Sequence, residues 1–151
     1  MTTIESTTSM LHKLYAEQCC RELVLRSAAL VDAGDAQGLA DLFSADAELV
    51  RPTGEVLRGR DAIEGAYRSR SAARMTAHFV AGTFFEEMGR ESARAQTRVL
   101  LWAGQSNFEA GTYRRVADPI QIMGRFEDRF VKTSQGWRIA RRRSVFDLHL
   151  A

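Results

Sequence analysis

Met75–Glu87 reads MTAHFVAGTFFEE, and how this stretch is read decides the fold. Phe79, Val80, Thr83, Phe84 and Phe85 suit a pleated surface, so the run predicts a strand. Alternate side chains of a strand share a face. His78, Val80 and Gly82 then point one way, and Phe79, Ala81 and Thr83 the other. Gly82 either lets a ligand or backbone come close or marks a bulge. His78 is a titratable imidazole beside small residues on an apolar strand. It is either a base presented to a pocket or a core histidine with a satisfied hydrogen bond. This stretch alone leaves both readings open.

Upstream, the chain is helical. Cys20, Leu23, Val24, Ser27 and Val31 form one stripe within a helix expected over Met10–Ala33. Residues 1–8, rich in Thr, Ser and Glu, are expected to be loose. Gly34 ends that helix, and Asp35 caps a short second one over Ala36–Phe43. Glu48–Arg51 is expected as a short strand turned by Pro-Thr-Gly, and Val56–Leu57 as its partner. Asp61 opens a third helix over Ala62–Arg70, and Arg68, Arg70 and Arg74 are expected on a solvated face.

Downstream, the chain is all strand. Thr76–Glu87 turns at Met88–Arg90 into Ser92–Ala103, and a polar loop covers Gly104–Asp118. Strands are expected over Ile120–Lys132 and Trp137–Phe146, joined by Ser134-Gln135-Gly136. In the last one Trp137, Ile139 and Arg141 oppose Arg138, Ala140 and Arg142. Helices first and antiparallel hairpins after make an α+β order. A curved sheet with helices across its open face encloses a cone-shaped cavity, a common small-molecule site.

The chain has 151 residues, enough for one domain spanning 1–151. Its net charge of +2 gives no strong field for nucleic acid or a membrane. Only Lys13 and Lys132 are lysines among the basic residues, which coding bias accounts for. Cys19 and Cys20 are adjacent on a predicted helix, where a mutual disulfide is strained, so a reduced, cytoplasmic setting is expected. The N-terminus lacks the basic and apolar regions of a signal peptide. No HExxH, CxxC, Walker loop or GxSxG is found, and three scattered histidines do not predict a metal site.

Three segments carry a family resemblance. They are LVDAGDAQGLADLFSADAELVRPTG, RGRDAIEGAYR and GRFEDRFVKTSQGWRIARRR, within residues 20–146. They resemble the nuclear transport factor 2-like superfamily in its SnoaL-like branch. The resemblance implies a cone-shaped α+β barrel in which N-terminal helices wrap a curved, mostly antiparallel sheet. A finer likeness is to the scytalone dehydratase and lindane dehydrochlorinase families. Those enzymes pair an aspartate at the end of helix one with a histidine on the strand after helix three. Asp32, within VDAGD, matches the first, and His78, within TAHFVAGT, the second. The resemblance implies a His78 base oriented by Asp32.

The dehydratase's tyrosine before the aspartate is Val31 here, and its first-strand tyrosine is missing from LVRP. Its second histidine falls near Leu100–Trp102, where there is none. Ketosteroid isomerases place a base aspartate where Arg51 stands. Arg51, Arg125 and Tyr113 are therefore the candidates for stabilising developing charge, with Val80 on the face of His78.

The expected function is cofactor-free, metal-free proton abstraction: dehydration, elimination or isomerisation of a hydrophobic cyclic or polyketide-like substrate. The alternatives are a non-catalytic binding module and a partner resembling the β subunit of ring-hydroxylating dioxygenases. A homodimer or higher homo-oligomer is expected, through a sheet face supplied by Phe79, Trp102, Phe126 or Phe130. Partners from nucleic acid or membrane are not expected.

Overall fold

The computed structural model describes residues 3–150. Helix α1 runs over Thr3–Ala33, α2 over Ala36–Asp41 and α3 over Gly59–Arg68. The strands are β1 (Phe43–Val50), β2 (Val56–Arg58), β3 (Arg74–Met88), β4 (Ser92–Gln105), β5 (Gln121–Thr133) and β6 (Gly136–Leu150). They form one open sheet in the order β2-β1-β6-β5-β4-β3. β1 and β6 run parallel, and the other neighbours are antiparallel.

One face of α1 builds the core. Ala16, Cys20, Leu23, Val24, Ser27 and Ala28 are buried, a 3.6-residue stripe that ends one turn before Asp32. Over Ser6–Tyr15 the same helix is exposed on every side. It thus begins well before Met10, in turns that the sheet does not cover. Asp35 caps α2 through its Oδ1, which accepts from the Gly38 amide at 2.8 Å. Gly34 makes the turn between the two helices at φ +74°, a backbone region costly for other residues. Phe43, Leu49, Ile63, Phe130 and Ile139 are the largest apolar side chains sealed beneath the helices. Each contributes about 1.5–3 kcal/mol through burial. Both cysteines are free.

Three expectations about faces and bounds change. Phe43 starts β1 rather than ending α2, because it pairs with Ile139, whose amide donates to the Leu42 carbonyl at 2.9 Å. β3 and β4 slip register between Val80 and Thr83. The extra residue turns Thr83 inward, where its hydroxyl meets that of Thr97 at 2.8 Å. Gly82 therefore belongs to a bulge and not to a close approach; a Cβ there would meet nothing within 4 Å. β5 and β6 slip between Arg129 and Phe130, which turns Arg142, and not Arg141, toward the helices.

The apolar outer face is also composed differently. Phe79 and Trp102 are exposed on it, together with Met123 and Leu148. Phe126 and Phe130 pair with Thr97 and Ala93, so they face the helices, and Phe130 is fully buried.

Candidate active site

Asp32 stands one turn past the buried stripe of α1, and His78 stands on the inward face of β3. The imidazole Nδ1 lies 2.6 Å from Asp32 Oδ1. The same oxygen accepts from the Thr76 hydroxyl at 2.8 Å, and Oδ2 accepts from the His78 backbone amide at 2.8 Å. One carboxylate thus receives a ring nitrogen, a hydroxyl and a main-chain N–H. Burial pushes the Asp32 carboxyl up. The hydrogen bonds from the His78 ring and amide, the imidazole's charge and the Thr76 hydroxyl outweigh it, and hold the group below its ordinary range. In the neutral tautomer that directs Nδ1–H at the carboxylate, the lone pair lies on His78 Nε2. The described residues offer it no hydrogen-bond partner.

His78 borders a cavity of about 210 Å³ between the sheet and the helices. Leu39, Leu49, Leu101, Phe126 and Phe146 make much of its wall. A cavity of about 150 Å³ holds one benzene ring, so this one suits a substituted single ring. Its polar lining includes Ser27, Arg51, Tyr67, Arg70, Arg142 and Ser144.

Arg142 anchors the floor. Its Nε and Nη2 each donate to Asp128 at 2.7 Å, and its Nη1 donates to Ser27 Oγ at 2.7 Å. The Ser27 hydroxyl donates in turn to the Val24 carbonyl. The guanidinium carbon lies 4.1 Å from the centre of the Phe126 ring, which in turn is 6.4 Å from the imidazole. A planar fork that meets a carboxylate with two parallel bonds and stacks on an aromatic face is a task for arginine, not lysine.

The other candidates fall in different places. Arg51 lines the cavity, with its guanidinium 2.9 Å from Glu55. Val80 packs against the core and is not among the residues lining the cavity. Tyr113 is 97% exposed in the loop before β5, away from the cavity. Arg125 borders a hollow of about 30 Å³ that also touches His78, but its guanidinium is bound to Asp147 and Glu127. The reason is register: Arg125 pairs with Arg98 and Val145 on the outward face.

Sequence reasoning missed Thr76, Arg70 and Arg142. Thr76 was legible, since it stands two residues before His78 on the same strand face. Arg142 was hidden by the β5–β6 bulge. Arg70 was assigned to a solvated face, and no periodic signal marks it otherwise, because it lies past the end of α3.

A SnoaL-like domain model matches residues 12–143. The chain belongs to the SnoaL-like family, within the nuclear transport factor 2-like superfamily. Its fold is shared with a candidate scytalone dehydratase from Novosphingobium aromaticivorans DSM 12444, at 18% identity and TM-score 0.78; 93% of this chain and 90% of that one are covered. A nuclear transport factor 2-like protein with a cystatin-like fold from Novosphingobium aromaticivorans is 24% identical, with TM-score 0.75 and coverages of 97% and 91%. A hexachlorocyclohexane dehydrochlorinase, LinA type 2, is 14% identical, with TM-score 0.77 and coverages of 93% and 90%. No curated protein matches this SnoaL-like chain by sequence. Among the described residues, no helix is long and apolar enough to cross a membrane.

Proposed function

We propose that this SnoaL-like protein is a lyase or isomerase that abstracts a proton from a cyclic, largely hydrophobic substrate without a cofactor. The observation that carries the reading is the 2.6 Å contact between His78 Nδ1 and Asp32 Oδ1, with Nε2 left unpartnered at a ring-sized cavity. His78 Nε2 takes a proton from a carbon made acidic by a neighbouring group. The C–H electron pair becomes the new C=C bond, and the leaving group departs with its own pair. The imidazolium so formed is stabilised by the Asp32 carboxylate and can return the proton to a departing hydroxide. The likeness to a candidate dehydratase and a dehydrochlorinase, both elimination enzymes by name, supports the same class.

The test is a set of single-ring and two-ring β-hydroxy ketones, scytalone included, incubated in D2O. Ultraviolet absorbance reports the conjugated product, and mass spectrometry reports deuterium uptake. His78→Ala is expected to lower turnover by about 10²–10⁴ while the fold survives. Asp32→Asn keeps shape but removes the charge, so it lowers kcat more than it changes KM. The two losses are far from additive, because the groups act as one unit. Equal rates for wild type and His78→Ala would overturn the proposal. Tight ligand binding without turnover or exchange would replace it with a binding module.

The protein works as a homodimer in this reading. The apolar outer sheet face and the uncovered first half of α1, with Met10, Leu11, Leu14 and Tyr15 exposed, both call for a second copy.

A further inference from the structure

The wall between the inner cavity and a larger outer cleft holds one cation with donors to spare. The cleft has a volume of about 450 Å³ and lies between the end of α1, the end of α3 and the start of β3. Val31, Leu39, Tyr67, Arg70 and Thr76 border both spaces. Arg70 is half-buried there. Its neighbours in the basic run are neutralised: Arg68 pairs with Glu64, and Arg74 with Asp118. Arg70 has no carboxylate partner among the described residues. Its two hydrogen bonds are long, 3.5 Å to the Val31 carbonyl and 3.4 Å to Thr76 Oγ1, beyond the usual 2.7–3.2 Å range. A guanidinium carries five N–H donors in a fork shaped for a carboxylate. The other two arginines of the inner cavity are engaged, Arg51 by Glu55 and Arg142 by Asp128.

We infer that Arg70 is a specificity-determining residue that captures the carboxylate of a ring-bearing acid and positions the ring in the inner cavity. Tyr67 supports the guanidinium face, with the Arg70 carbon 5.9 Å from its ring centre. Thr76 couples this anchor to the reacting groups. Its hydroxyl proton goes to Asp32 and its oxygen accepts from Arg70, so a ligand that draws Arg70 inward acts on the same strand that carries His78. The inference rests on the cavity being the substrate site, but not on the chemistry at His78.

Binding tests it without turnover. Titration calorimetry with benzoate and with benzamide, its neutral counterpart of nearly equal size, compares the wild type with Arg70→Gln. Benzoate is expected to bind the wild type about tenfold or more tightly than benzamide, the scale of one charge-assisted hydrogen bond. Arg70→Gln loses that preference, and Arg70→Lys recovers only part of it because the fork is gone. Thermal unfolding of each variant checks that the fold is kept. The preference is read from binding alone, so a failed elimination reading leaves this result standing. No benzoate binding to the wild type, equal binding of the two probes, or a preference that survives in Arg70→Gln would each overturn the assignment.

Discussion

Replacing Asp128 by Asn should unfold this protein more readily than almost any other isosteric change. The Asp128 and Arg142 side chains are 1% and 5% exposed, and two 2.7 Å bonds join them. The variant leaves a guanidinium charge inside the molecule with no compensating carboxylate. Breaking such a pair from one side costs about 3–5 kcal/mol. Phe126 stacking and the Ser27 hydroxyl stay with Arg142 and place the expected loss near the lower limit, about 3 kcal/mol. At about 2–4 °C per kcal/mol for a domain of this size, Tm falls by roughly 6–12 °C. Calorimetry and urea unfolding measure both quantities. The double variant Asp128→Leu with Arg142→Met is the control, since removing both charges together is often neutral. Ser27 stays satisfied in that variant, because its own proton goes to the Val24 carbonyl. A drop under about 2 °C in Asp128→Asn, or a double variant no more stable than the single one, would refute this account of the buried pair.

The remaining predictions concern charge and assembly. Asp32 has a folded pKa below its unfolded one, so its contribution to stability is present above the unfolded value, about 3.9, and is lost as pH falls through the folded value. The stability gap between wild type and Asp32→Asn, read from urea melts, should therefore shrink from pH 7 to pH 3; a constant gap would contradict the hydrogen-bonded carboxylate. Light scattering at micromolar concentration should give the mass of a dimer, and Trp102→Glu with Phe79→Glu on the outer face should shift it to a monomer. A monomeric wild type would remove the assembly proposal.

Much of the fold could be read from the sequence because its signals are periodic or local. The stripe Cys20, Leu23, Val24, Ser27 and Val31 is a helical period. The Gly34-Asp35 pair is a cap and stop signal, and within Ser92–Ala103 the buried residues Ala93, Ala95, Thr97 and Val99 alternate as a strand's residues do. What failed was parity. A single extra residue in a strand exchanges its faces; Gly82 left a bulge open as one of two readings, and no composition signal marks Ala140 as the place of the other. The candidate site was legible where it lay on a regular element: Asp32 next to Val31 at the end of the stripe, and His78 on a strand. It was illegible at Arg70, past the end of a helix, where a loop's path alone decides what an arginine reaches.

The bulge between β5 and β6 also explains why the inner face is polar where it is. Trp137 and Ile139 point inward and are buried under the helices. An uninterrupted strand would next turn Arg141, Arg143 and Val145 inward and leave Arg142 beside Glu127 on the outside. The extra residue brings Arg142 opposite Asp128 and Ser144 opposite Phe126. Arg141 and Arg143 then meet Glu48 and Glu127 in the surface ion-pair lattice. One inserted residue thus sorts three consecutive arginines, two to solvent and one to the cavity floor. The buried guanidinium fixes Phe126 from below, and Phe126 lines the cavity beside His78. His78 is therefore framed on one side by the α1 carboxylate and on the other by an aromatic ring held on an ion pair. A frame of this kind holds the imidazole in one orientation, as the proposed general-base role would require.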